Sequence, residues 1–282
     1  MSDIELACHV APWGTAGFIT GLADVEAAGY RGLEMTAELV EQYEDRVGVF
    51  TEILAQHHLT LIAITAGGAT WPGMNLDEEV ERNLNVARFL KAAGARCLTL
   101  YPPRPNPDHP IEDDLDLMPA ATAYGEIARR TLELEVFTCL HPDSGTCVDS
   151  AKTLSKFIQM ADPEALKLCV DSGFLAEAGI GAASFLKEHR KRLGLVHLRD
   201  LKFRESRARK SGGGKHGKAV PQATTVELGK GQVDLPGFVN ALLAVEYLGW
   251  ATVELDAADR RRLGDAAQAC HTYAEQKLDL VL

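Results

Sequence analysis

The sequence predicts an α/β fold, a closed (β/α)8 barrel formed by one domain over residues 1–282. Three observations carry that prediction. Eight short apolar runs recur along the chain, segments of helical periodicity separate them without a break, and several runs end on an acidic or imidazole side chain.

The runs, in order, are IELACH, RGLEMT, LTLIAIT, ARCLTLY, LEVFTCLH, ALKLCVD, GLVHLRD and WATVELD. They are short and largely apolar, as strands covered on both faces of a parallel sheet must be. After the first run the sequence HVAPWGTAG lacks the glycine-rich phosphate turn of an open doubly wound sheet, which favours a closed barrel. Between the second and third runs, Val49, Ile53 and Gln56 of VGVFTEILAQHH share a stripe with Phe50 and Leu54. Residues 76–94 and 114–133 read as further helices, with Asp77 and Asp113 placed to cap them. Gly29, Gly94 and Gly249 stand between a helical pattern and the next run, where a left-handed residue stops a helix. One segment breaks the rhythm. Phe203 to Thr225 is basic and glycine-rich, and reads either as a flexible lid over the barrel mouth or as an ordinary insertion.

With 46% hydrophobic residues the chain can bury a large core, and its net charge of −11 argues against nucleic acid or an anionic membrane as partner. The six cysteines are scattered without a CxxC pair, and four fall inside predicted strands, where a reduced thiol behaves as a small apolar group. A reducing compartment follows. The N-terminus carries no basic-then-apolar leader, and no run approaches the ~20 apolar residues of a membrane span, so the expected location is cytoplasmic. A homodimer is one open assembly, with no apolar stripe to mark its interface.

In a (β/α)8 barrel the C-terminal ends of the strands share one mouth. Read along the runs, that mouth receives His9, Glu34, Thr65, Tyr101, Cys139 with His141, Asp171, His197 and Glu254. Isolated charges there are costly unless paired or metal-bound, so the set points to a site. Asp171, His197 and Glu254 offer two anionic oxygens and a neutral nitrogen to a divalent ion, and His141, ending the fifth run before Pro142, is the fourth candidate ligand. The mixture suits Mn²⁺, Co²⁺, Zn²⁺ or Fe²⁺. Such an ion polarises carbonyl and hydroxyl oxygens and acidifies the intervening C–H, as enolisation, epimerisation or β-elimination of a polyol ketone requires. His141 or Glu34 is the base in that scheme, or Glu34 orients substrate hydroxyls. His9, Trp13, Tyr101 and Trp71 are candidate substrate contacts, the aromatics as apolar walls. Asp200 either holds the His197 loop or fixes the tautomer of His197. GGGK in SGGGKHGK lacks phosphate-loop spacing and is read as a loop, and nothing near Cys139 marks it as a nucleophile.

VDSGFLAEAG, VHLRD and LGKGQVDLPGFVNALLAVEYLGWATVELD resemble the xylose-isomerase-like TIM-barrel superfamily, across nearly the whole chain. Its members include sugar isomerases and epimerases, inosose dehydratases, dehydroshikimate dehydratases and apurinic-site endonucleases. The resemblance implies a single-metal site to which Asp171, His197 and Glu254 correspond. The glutamate expected on the fifth strand is missing, its position falling near Cys139, and with it goes one member of the paired acid and base of the ketose epimerases. CLHPDSGT is instead similar to the HPHxGT stretch of inosose dehydratases, with Asp143 where a second histidine is expected. DSGF stands where relatives carry DTGH, which puts Phe174 at a substrate-contacting position.

The expectation is therefore a metal-dependent lyase of the inosose-dehydratase type acting on a polyhydroxy ketone, with Glu254 both ligand and catalytic group. A sugar isomerase or epimerase of the same superfamily is the alternative, and a non-catalytic binding subunit the second. A nuclease would need further ligands and a basic rim.

Overall fold

Strand residues two apart face the same side, so in a closed barrel one alternate set fills the interior and the other meets the helices. The computed structural model describes residues 4–67, 70–71, 75–105, 117–204, 222–255 and 262–280. Eight parallel strands close the ring: β1 Ile4–His9, β2 Gly32–Thr36, β3 Thr60–Ala66, β4 Cys97–Leu100, β5 Phe137–Leu140, β6 Leu166–Asp171, β7 Leu193–Leu198 and β8 Gly249–Val253. Their order in space is their order in sequence, and Ile4 opposite Gly249 completes the circle. Every predicted run is a barrel strand. Helices such as Phe18–Ala27, Leu76–Ala92, Met118–Glu133 and Leu263–Leu278 cover the outside.

The interior is layered. Ala7, Ala63, Cys97, Cys139, Cys169 and Leu195 form a buried cluster with Phe137 and Trp250 against it. Each of those six stands two residues before His9, Thr65, Thr99, His141, Asp171 and His197 in turn, hence one layer deeper on the same face. Small side chains below leave the polar layer a floor rather than a pore. Gly32 belongs to that floor, because a Cβ there would come within 2.5 Å of the Trp250 ring and 2.7 Å of the Ala7 Cβ. Burial raises the thiols of Cys8 and Cys97 and lifts Cys147, Cys169 and Cys270 to about 12. All six cysteines are free and buried. None is expected to react with Ellman's reagent in the native protein at pH 8, and all six on denaturation; rapid labelling of any one before unfolding would contradict the layered core.

Several local expectations change. Asn75, not Asp77, caps Leu76–Ala92, accepting from the N–H groups of Asp77 and Glu78. Asp113 lies outside the described residues, and the helix expected from 114 begins at Met118. Phe50 and Leu54 are buried, whereas Val49 of the same expected stripe is exposed. Gly29 and Gly94 take left-handed φ values of 100° and 82°; before β8 Glu246 makes that turn, at φ 57°, and Gly249 opens the strand. The ends of the segment 203–225 are ordered. Asp200–Arg204 pairs antiparallel with Gln222–Val226, and residues 205–221 lie outside the description. Asp200 is buried beside that ribbon and accepts N–H bonds from Leu201, Gly229, Gly231 and Val233 at 2.8–3.1 Å. A Cβ on Gly231 would stand 2.1 Å from its carboxylate, so LGKGQV is the seat for Asp200 and not a partner of His197. No helix among the described residues is long and apolar enough to cross a membrane.

Candidate metal centre

Four consecutive strands deliver four ligand-type side chains to one point. His141 follows β5, Asp171 ends β6, His197 lies in β7, and Glu254 follows β8 with its N–H bonded to the Leu198 carbonyl. One ligand atom from each lies within 4.8 Å of the others. His141, Asp171 and His197 are fully buried, and only Glu254 is partly open, its side chain 19% exposed.

The hydrogen bonds show what these groups lack. Asp171 Oδ1 accepts the Phe174 N–H and the Arg199 Nε–H at 3.1 Å, while Oδ2 has no hydrogen-bond partner. His197 Nε2 is 2.8 Å from Glu34 Oε2, and its Nδ1 makes no hydrogen bond, with Glu254 Oε2 3.6 Å away. Glu254 Oε1 accepts the Tyr101 hydroxyl at 3.3 Å, and Oε2 is unpartnered. Neither ring nitrogen of His141 has a partner. Each such buried atom costs about 1–3 kcal/mol when left unmade, and of the five only Asp171 Oδ2 has a cationic group at 3.0 Å, so this is not an arrangement packing would retain for itself. A cation with an affinity for N and O donors is the group that fits them.

Arg199 occupies the rim. Its Nε lies 3.0 Å from Asp171 Oδ2 and 3.7 Å from Glu254 Oε2, and one Nη donates to Asp143 at 3.0 Å. It crosses Gly173, where a Cβ would stand 3.0 Å from Nε, so the glycine of DSG makes room for the guanidinium. Burial would raise Glu254, but Arg199 and His197 hold it well below the usual carboxylate range. Burial would lower His197, yet Cys169, Glu34 and Glu254 carry it well above the ordinary imidazole value.

Below lies a second polar tier. Glu34 has no exposed surface; Thr65 and Thr99 donate to its Oε1 at 2.5 and 3.0 Å, and His9 Nε2 reaches Thr65 at 3.3 Å. Burial lowers His9, against the opposing pull of Glu34. Tyr101 stands edge-on to His141 at 4.4 Å, its hydroxyl kept protonated by burial and then by Glu254.

Most of the residues singled out in the sequence thus converge: His9, Glu34, Tyr101, His141, Asp171, His197 and Glu254. Two are committed elsewhere. The ring of Trp13 lies on Gly21 and its N–H donates to Asp24 at 2.8 Å, binding the first loop to the helix Phe18–Ala27. The ring of Phe174 is buried in the main core, and its backbone N–H meets Asp171. The side chain of Trp71 lies outside the description. Arg199 and Thr99 went unread, although both continue the alternation of a strand whose other members were read.

Residues 22–275 match the model of the xylose isomerase-like TIM barrel family. The chain is 25% identical over 248 residues to the rhizopine catabolism protein MocC of Rhizobium meliloti, covering 83% of this chain and 73% of that protein. It is 21% identical over 262 residues to an inosose dehydratase of Mesomycoplasma hyopneumoniae, covering 88% and 84%. Among solved structures, the IOLI protein with a bound zinc atom superposes with a TM-score of 0.75 at 15% identity, covering 98% of each chain.

Proposed function

Since the chain belongs to the xylose isomerase-like TIM barrel family, we propose that it is a metal-dependent lyase that dehydrates a polyhydroxy ketone of the sugar or cyclitol class. The observation that carries this reading is the convergence of unpartnered ligand atoms from His141, Asp171, His197 and Glu254. These four would hold the ion, which is Mn²⁺, Co²⁺, Zn²⁺ or Fe²⁺. The zinc of the IOLI protein and the inosose dehydratase relative support the same direction.

A divalent ion held there would supply polarisation of a ketone oxygen and acidify the neighbouring C–H. The chain supplies the rest. Glu254 is the one ligand carboxylate open to the mouth, and Arg199 and His197 keep it ionised, so it is the group placed to take a proton. The Tyr101 hydroxyl beside it stays protonated and can donate to a departing oxygen. Dehydration is favoured over epimerisation because His141 stands at the end of β5, and among the described residues no second glutamate faces the mouth opposite Glu254: Glu34 is enclosed beneath the centre.

The test is turnover of inososes and keto-sugars by protein loaded with each ion in turn, followed by mass spectrometry in D₂O. Loss of one water, reduced about 10²-fold or more in Glu254→Gln, is the expected result. An ion-loaded protein that neither eliminates water nor exchanges a C–H for deuterium on any of them would leave the binding-subunit reading.

A further inference from the structure

The hydrogen bonds beneath the candidate centre converge on Glu34. The Ala11 N–H points at His9 Nδ1 at 3.2 Å, so the neutral His9 ring carries its proton on Nε2 and offers it to Thr65 Oγ1. Thr65 has one hydroxyl proton, and it goes to Glu34 Oε1. The Thr99 hydroxyl stands 2.6 Å from Thr65 Oγ1 and 3.0 Å from the same carboxylate oxygen, so its proton supports Glu34 directly or through Thr65. Glu34 Oε1 is thereby filled, and the carboxylate is pinned between β2, β3 and β4. Its remaining oxygen, Oε2, has one neighbour on offer, the Nε2 of His197 at 2.8 Å.

An ionised carboxylate only accepts, so His197 must keep a proton on Nε2 to make that bond. In the neutral ring the lone pair then falls on Nδ1, the atom that stands 3.6 Å from Glu254 Oε2 and makes no hydrogen bond. We propose that Glu34 is the positioning residue of the centre: it fixes His197 with Nε2 protonated and Nδ1 turned to the ion, and the His9–Thr65–Thr99 tier exists to hold Glu34 in that pose. The proposal rests on the reading of His197 as a ligand. It gives a carboxylate in the barrel interior a task other than proton abstraction, for which an enclosed and fully bonded group is badly placed.

Two measurements on wild type and Glu34→Gln separate this from its neighbours. The glutamine keeps the shape and can still accept from Nε2, but it brings N–H groups where Glu34 had only acceptors. Long-range ¹H–¹⁵N spectra of histidine-labelled, metal-free protein, with His197 assigned by its absence from His197→Asn, read which nitrogen keeps its proton as pH rises. Wild type is expected to retain the Nε2 proton as a slowly exchanging signal, and Glu34→Gln to lose that preference. Chelator competition for Co²⁺ is expected to show binding weakened about 10–100-fold in Glu34→Gln, with the melting transition of the metal-free protein still cooperative. Wild type that keeps its proton on Nδ1 would overturn the proposal whether or not an ion binds. So would a Glu34→Gln variant with unchanged Co²⁺ affinity and unchanged His197 signals that has lost turnover, the pattern of a catalytic base. A wild type with the expected proton on Nε2 but no affinity for any ion would leave Glu34 in its role and remove the metal reading instead.

Discussion

His141→Leu is expected to make the metal-free protein more stable, by about 1–3 kcal/mol, while abolishing its response to divalent ions. The sign is unusual for a fully buried position. Both ring nitrogens of His141 lack partners, and the ring is enclosed by Tyr101 and His197 at centroid distances of 4.4 and 4.5 Å. Leucine has a similar volume and no polar atom to desolvate, so the exchange removes a cost without opening a cavity. In the native sequence only an ion offsets that cost, with a gain of about 2.7 kcal/mol when present at 100 times its dissociation constant. Denaturant titrations in EDTA and in excess Co²⁺ check both halves. A variant that is less stable in EDTA and still shifts with Co²⁺ would place His141 outside the centre.

Asp171→Ala should also lose the ion, but with the opposite effect on the metal-free fold. Asp171 Oδ1 accepts the Phe174 N–H at the start of Ser172–Glu177, and both of its oxygens lie near Arg199 Nε. Removing the carboxylate takes from a buried guanidinium its fully buried counter-charge and leaves it Asp143 at 3.0 Å and Glu254 at 3.7 Å. Breaking a buried pair from one side costs about 3–5 kcal/mol, and that is the loss expected in EDTA. Arg199→Met in the Asp171→Ala background should recover part of it, since the stranded charge goes too. Equal stability of Asp171→Ala and wild type without metal would mean that Arg199 finds water instead.

The contrast between these two substitutions also shows what could be read from residues alone. The barrel and three of the four ligand positions follow from a period of two and from strands that end on charged side chains; Asp171, His197 and Glu254 need only their place at a strand end. His141 is legible for the same reason, helped by Pro142. What local pattern cannot supply is the partner of each group. Glu34 reads as a base or an orienting group from its place at a strand end in the mouth, yet Thr65 and Thr99 come from two other strands to enclose it, and only closure of the ring brings them there. Trp13 belongs to a short 3-10 turn, Ala11–Trp13, that lays its ring on Gly21 of the helix Phe18–Ala27. Phe174 lies in the first turn of the helix Ser172–Glu177, where its N–H matters more to the site than the ring. Proximity in sequence pairs Asp200 with His197, but the chain carries it past the mouth to a loop of backbone donors. Arg199 is two residues from His197 and shares its face, a relation present in VHLRD from the start.

Metal content tests the central claim most directly. Wild type and His141→Leu are each incubated with Mn²⁺, Co²⁺, Zn²⁺ or Fe²⁺, desalted, and analysed by plasma mass spectrometry. About one equivalent of at least one ion in the wild type, and less than about a tenth of that in the variant, is the result the four converging ligand atoms predict. A folded wild type that retains none of the four ions, or a variant that retains as much, would contradict it.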